Sequence, residues 1–415
     1  RAPDLAGTRF AAGWDFVDGD ATPDDEHGHG THVAGTIAQS THNAIGVAGV
    51  APDATIMPIR VLDARGAGRS GDIAAAIRWA ADHGADVINM SLGGGLPSRA
   101  MASAIEYAHD KGVVVVAAAG NTGRGRVEYP AAYEHVIAVG AVRMDGTRAY
   151  YSSYGDALDL MAPGGDLRVD QNGDGMPDGV VQNTMVRGDP MQHDYLGFQG
   201  TSMAAPHVAG VVALLRAEGL RDPDAIERVL CESAREVGPN SDFGAGLLQA
   251  DAALQRQGSS RSLGGASAAS VALLTLYGGA ARRRRKLALG PLAAAFGAFT
   301  FGGGLSAAFS WWPTTASVSA FSGPHAFALL GDVGALLGLT AALPLLAYAA
   351  LAHVRRLSPW LSVLAFGVAG GLVFEALVPT VRLALLPELV AGPWLLANAA
   401  ICAWLGWAAA QSDAR

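Results

Sequence analysis

Three short stretches carry residue types able to break a covalent bond. "DDEHGHGTHVAGTIA", residues 24–38, sets His27, His29 and His32 among small residues directly after an acidic run. "FQGTSMAAPHVAGVVALLRAEG", residues 198–219, offers Ser202 at the mouth of a helical pattern, with Gly200 permitting a tight turn and Thr201 able to cap. "VVVVAAAGNTG", residues 113–123, runs an apolar strand into Gly120 and Asn121. A serine hydroxyl is a poor nucleophile until a neighbouring base takes its proton. Histidine can be that base near neutral pH. A helix start points unpaired backbone N–H groups at developing negative charge, and a carboxamide at a strand end can donate to the same oxyanion. The chemistry on offer is nucleophilic catalysis, and only the fold can bring positions 29, 121 and 202 together.

The elements that must position them alternate. "ATIMPIRVLD" (54–63), "ADVINMSL" (85–92), "GVVVVAAAG" (112–120) and "HVIAVGAV" (135–142) read as buried strands. Between them, 70–84 and 98–112 space apolar residues as helices do, with Ser or Asp near the start and Gly at the end. The expected fold class is α/β, a doubly wound, mostly parallel sheet covered by helices on both faces. Ligands of such sheets bind at the carboxyl ends of the strands.

Charge divides the chain. Through Gln257 it carries 19 Lys+Arg against 33 Asp+Glu, and beyond it 10 against 4. The acidic part lacks the basic patches with interleaved aromatics that bind nucleic acid, so no nucleic-acid partner is expected. Residues 1–257 are therefore read as the catalytic domain, 258–286 as a linker plus a first hydrophobic span with a basic stop, and 287–415 as a helical membrane region. The apolar runs 262–281, 287–309, 326–352, 359–380 and 393–410 each approach or exceed the roughly 20 residues that cross a bilayer. "RRRRK" (282–286) and "HVRR" (353–356) lie two spans apart and belong on the cytoplasmic face. That puts the acidic domain on the other side, anchored in a lipid bilayer. Glu375 and Arg382 read as a boundary pair at the end of the fourth span. Cys231 and Cys402 fall on opposite sides of the division, which argues against a disulfide between them.

"HGTHVAGTIA" around His29, "NMSLGG" at 89–94, "AAAGN" ending at Asn121 and "GTSMAAPHVAG" around Ser202 together resemble the subtilisin-like serine proteases, in that family's order. The resemblance covers residues 1–257. It implies His29 as general base and acid, Ser202 as nucleophile, and Asn121 with the Ser202 N–H as oxyanion donors. Ser91, Leu92, Gly93 and Gly94 would pair with an extended polypeptide substrate, and with Ala118 and Gly120 would wall the pocket for the residue before the cut. The apolar character of these walls suggests a hydrophobic preference. His27 and His32 match no catalytic position.

One partner has no match. The family orients its histidine with an aspartate in a V-x-D-T/S-G block just before an H-P-D-L-like turn, and "APDL" (2–5) resembles the tail of that turn. The sequence is thus expected to be N-terminally incomplete, lacking the aspartate and its strand, with Asp24, Asp25 and Glu26 facing solvent or capping a helix. The alternative is an inactive, membrane-tethered peptide-binding relative. Finally, Asp170, Asn172, Asp174 and Asp178 surround a glycine turn as in the opening of an EF-hand-type loop, suggesting structural calcium with help from the Met176 carbonyl. The twelfth position, a glutamate in such loops, is Val181.

Overall fold

The computed structural model describes residues 2–94, 96–186, 189–257, 396–398 and 400–404. The chain divides into two units, Arg1–Arg256 and Gln257–Arg415. The first four apolar runs and the Glu375–Arg382 pair lie outside the described residues, and of the fifth run, 393–410, residues 396–398 and 400–404 are described. Among the described residues no helix is long and apolar enough to cross a membrane.

In the first unit, a 3₁₀ turn at Pro3–Leu5 precedes β1 (Arg9–Phe10), β2 (Trp14–Asp15) and α1 (His29–Ala38). Then follow β3 (Thr55–Ile56), β4 (Ile59–Arg60), α2 (Ser70–Asp82), β5 (Val87–Met90), α3 (Arg99–Asp110) and β6 (Val114–Ala118). β7 (Val136–Val142), β8 (Leu160–Pro163), β9 (Val180–Val186) and β10 (Asp189–Phe198) lead into α4 (Thr201–Ala217), α5 (Pro223–Ser233) and the single turn α6 (Asn240–Phe243).

The central sheet runs β5-β6-β7-β8, every pair parallel. Strand β6 shows why it is covered on both sides. Its residues are all buried, and the pleat sends alternate side chains to opposite faces. Val115 and Ala117 join Ile73, Ile77 and Ile105 from α2 and α3. Val114, Val116 and Ala118 join Ala204, Val208 and Val212 of α4 and Leu230 of α5. A run of β-branched residues fits this two-sided burial because neither face needs a polar side chain.

Two departures from the sequence reading matter for the site. The strand expected over 54–63 survives only as β3 and β4, parallel two-residue pairings with β1 and β2. Pro58 interrupts it, having no N–H for a ladder, while its carbonyl accepts from the Trp14 N–H at 3.2 Å. Strand β5 pairs with β6 on one edge and has no strand on the other among the described residues. The antiparallel hairpin β9–β10 is absent from the sequence reading.

Candidate active site

Residues following the carboxyl ends of β5 and β6 meet the start of α4. Gly200 precedes that helix at φ 148°. The Thr201 N–H donates to Asn121 Oδ1 at 2.9 Å, and the Thr201 hydroxyl donates to the same oxygen at 3.0 Å. Thr201 Oγ1 in turn accepts from the Gly120 N–H at 3.2 Å. Because two donors fix the carboxamide oxygen, the amide nitrogen is the end left free to donate. A Cβ built on Gly200 would lie 3.7 Å from Asn121 Nδ2 and 3.7 Å from the Ser202 nitrogen. Two N–H donors thus flank one point beside Ser202.

Ser202 is tied to the β5 side of the cleft. Its hydroxyl donates to the Ser91 carbonyl at 3.3 Å, and the Ser91 hydroxyl donates to the Ser202 carbonyl at 2.7 Å. The second bond has a sequence cause. Residue 206, four places on, is proline inside α4, so the helical N–H that would satisfy the Ser202 carbonyl does not exist. Ser91 supplies the donor instead, and Asn89 Nδ2 donates to the Ser91 hydroxyl at 3.0 Å.

His29 opens α1 after Gly28, whose φ of 86° is left-handed. A side chain at Gly28 would fall 2.8 Å from the Met185 carbonyl, so only glycine fits. Burial, and then the His27 imidazole 6.3 Å away, hold the His29 pKa below the usual histidine value, with Asp25 pulling upward. A neutral imidazole is the form a general base needs. Among the described residues, no hydrogen bond reaches either ring nitrogen of His29. Asp25 is spent elsewhere: one oxygen accepts from the His27 and Gly28 N–H groups, the other from the N–H and hydroxyl of Thr31. It caps α1, and Glu26 pairs with Arg60, which agrees with the solvent or capping roles expected of the acidic run.

His32 is a packing residue. It is fully buried, stacks on Phe198 at 4.4 Å, and its Nε2 meets the carbonyls of Val180 at 2.9 Å and Leu196 at 3.2 Å. Burial pushes its pKa down to about 4. Because Phe198 lies four residues before Ser202, this stack carries the first turns of α1 toward the nucleophile loop. α1 and α4 pack on each other.

The proposed substrate walls also converge. The Gly94 N–H donates to the Tyr129 carbonyl at 3.0 Å, and the Glu128 N–H to the Ala119 carbonyl at 2.9 Å. A Cβ on Gly93 would sit 3.9 Å from the Ala118 carbonyl. Between the walls lies a residue that sequence reasoning missed. Cβ atoms built on Gly120 and Gly93 would fall 2.7 Å from Glu128 Oε1 and 3.8 Å from Oε2, respectively. Oε1 is buried without a hydrogen-bond partner. The acid stands in "GRGRVEYP", which reads as a loop and gives no local sign of facing a pocket.

The side chains of the expected calcium loop receive hydrogen bonds from within the loop. Asp170 accepts from the Gly173 and Gly175 N–H groups, Asp174 from Met176, and Asp178 from Gln171. The Asn172 side chain accepts from the Asp174 N–H and donates to its carboxylate. Among the described residues, one trio of His, Cys, Asp or Glu gathers its ligand atoms within 4.8 Å, and it is not in this loop. These bonds order the turn that carries Asp170, Asn172, Asp174 and Asp178.

A parallel α/β unit with a serine at a helix mouth, flanked by two N–H donors, holds the groups that a serine hydrolase uses. The model of the subtilase family matches residues 3–247, and the chain belongs to that family of serine endopeptidases. It is 40% identical over 254 residues to thermitase of Thermoactinomyces vulgaris, covering 61% of this chain and 84% of that protein. To a thermophilic serine proteinase of Bacillus sp. (strain AK1) it is 46% identical over 241 residues, covering 58% and 55%. Among solved structures, a protease of Pseudoalteromonas arctica aligns with TM-score 0.56 at 36% identity, covering 61% of this chain and 86% of that one. A lanthipeptide protease aligns with TM-score 0.53 at 31% identity, covering 61% and 84%.

Proposed function

We propose that Ser202 attacks a peptide carbonyl while His29 takes its proton, and that the oxyanion forms between Asn121 Nδ2 and the Ser202 N–H. The observation that carries this is the double donation from Thr201 to the Asn121 oxygen, which leaves the amide nitrogen as the outward donor. His29 then protonates the leaving amine, and water repeats the cycle on the acyl-enzyme. An extended substrate lies along Ser91–Gly94. Glu128 gives the pocket for the residue before the cut an unpaired carboxylate. One oxygen of this half-buried side chain lacks a hydrogen-bond partner, and an arginine or lysine brings the donor and the opposite charge that best satisfy it. That replaces the hydrophobic preference suggested by the pocket walls alone.

A carboxylate beside the second nitrogen of His29 would hold the tautomer, and none of the described residues provides one. Mispositioning of this kind costs about 10⁴ in kcat. Supplying a carboxylate beside that nitrogen is therefore expected to raise kcat by a comparable factor. The apolar runs beyond residue 257 support a bilayer anchor with the peptidase outside the cytoplasm, which topology mapping by impermeant labels would test. Structural calcium at Asp170–Asp178 rests on residue spacing alone. A rise in thermal midpoint with calcium, abolished by Asp174→Ala, would support it, and no change would dismiss it.

The direct test is fluorophosphonate labelling of the full chain. Label is expected on Ser202 at a rate already lowered by the missing carboxylate, lost in Ser202→Ala, and slowed further in His29→Ala, by about 10–100-fold because triad losses are not additive. Labelling indifferent to His29 would refute the mechanism and leave a peptide-binding module.

A further inference from the structure

The sheet is parallel, so its two ends differ. Asn121 and Ser202 lie beyond the carboxyl ends of the strands. At the opposite end, three side chains from distant parts of the sequence meet. His109 stands in the last turn of α3, His135 directly before β7, and Asp224 in the first turn of α5. His109 Nε2 is 2.9 Å from Asp224 Oδ1. The imidazoles of His109 and His135 stack with centroids 3.9 Å apart and planes 22° from parallel. One ligand atom from each residue lies within 4.8 Å of the others.

We propose that His109, His135 and Asp224 bind a divalent transition-metal ion, zinc being the best fit. Two imidazoles and a carboxylate are donors that zinc accepts at about 2.0–2.2 Å. Calcium and magnesium, which take oxygen almost exclusively, are disfavoured. Ligands at about 2.0–2.1 Å define tetrahedron edges of about 3.3–3.4 Å, so Nε2 and Oδ1, now 2.9 Å apart, part by about 0.4 Å as the ion replaces the shared proton. Glu227, one turn along α5 from Asp224, interacts electrostatically with both histidines. It adds the second negative charge that compensates a dication.

An ion pair between His109 and Asp224 alone leaves His135 unexplained. His135 is held at φ 64°, a left-handed conformation uncommon for a residue with a side chain, and this carries its ring onto His109. Turning the His135 ring from its stacked pose to aim a lone pair at the ion needs rotation about χ2, which is broad for histidine. The fourth position is open to Glu227 or to water.

The full chain, stripped with chelator, would be titrated with Zn²⁺ by calorimetry and with Co²⁺ by visible absorption. One ion per chain is expected, with the absorption of tetrahedral cobalt and a higher unfolding midpoint in zinc. His109→Gln keeps a hydrogen-bonding group toward Asp224, and His135→Asn tolerates the left-handed backbone, so both variants should fold. Each is expected to weaken Zn²⁺ by about 100-fold or more and to abolish the zinc-dependent rise in midpoint, while labelling of Ser202 is unchanged. Zn²⁺ binding no tighter than ~1 mM, or binding of unaltered affinity in both variants, would overturn the proposal.

Discussion

Thr201 holds Asn121 by one atom: the backbone N–H and the side-chain hydroxyl of the threonine converge on Oδ1 at 2.9 and 3.0 Å. The orientation of the carboxamide therefore depends on the residue next to the nucleophile. Asn121→Leu, which removes the donor, is expected to lower kcat by about 10²–10³ with little change in KM. Thr201→Val keeps the N–H and removes the hydroxyl, so it should lose less. Steady-state kinetics on one peptide substrate separates the two. An equal loss in KM would assign Asn121 to ground-state binding instead.

The low pKa of His29 sets the acid limb of activity. The imidazole must be neutral to accept the serine proton, so kcat/KM should rise through a pKa below the ordinary 6.5. The His27 imidazole contributes to that depression. His27→Gln is expected to shift the acid limb toward higher pH, as read from a pH profile of kcat/KM, which reports the free enzyme. An unmoved limb would show that burial alone sets the value.

His32 makes a separate prediction about stability. Its folded pKa, about 4, lies below the ordinary histidine value of 6.5, so between those values the unfolded chain binds the extra proton. The contribution of the neutral ring is complete above about pH 6.5. It declines as pH falls toward 4, by on the order of 3 kcal/mol in total. Urea unfolding at a series of pH values should show this slope, and His32→Phe should flatten it.

Glu128→Gln tests the substrate preference. For peptides with arginine or lysine before the cut, kcat/KM is expected to fall roughly 10–100-fold, about 1.4–2.7 kcal/mol. Peptides with phenylalanine there should be cleaved no worse. A wild-type preference for phenylalanine would return the pocket to the hydrophobic class, whatever the variant does.

Sequence legibility followed the range of the forces involved. Helices α2 and α3 announce themselves because each buries one regular stripe, and β6 because its apolar run is buried on both faces. The positions of His29, Asn121 and Ser202 could be named from their surrounding motifs. Their hydrogen bonds could not, since Thr201 and Asn121 are 80 residues apart. Glu128 was invisible for the same reason: its setting is made by Gly93 and Gly120, which leave room that any Cβ would fill. The hairpin β9–β10 escaped because "VVQNTMV" and "HDYLGF" mix polar and apolar residues without clean alternation. The acidic turn before it suggested a metal loop, and its carboxylates accept hydrogen bonds from nearby N–H groups.

That hairpin also grips the start of α1. Thr184 donates its hydroxyl to the Gly28 carbonyl, and His32 meets carbonyls of both hairpin strands. His29 is thus moored to a peripheral ribbon, whereas Ser202 rises from the helix buried against the main sheet. On warming, the ribbon should loosen first, so turnover should fade while the circular dichroism of the central layers is still native.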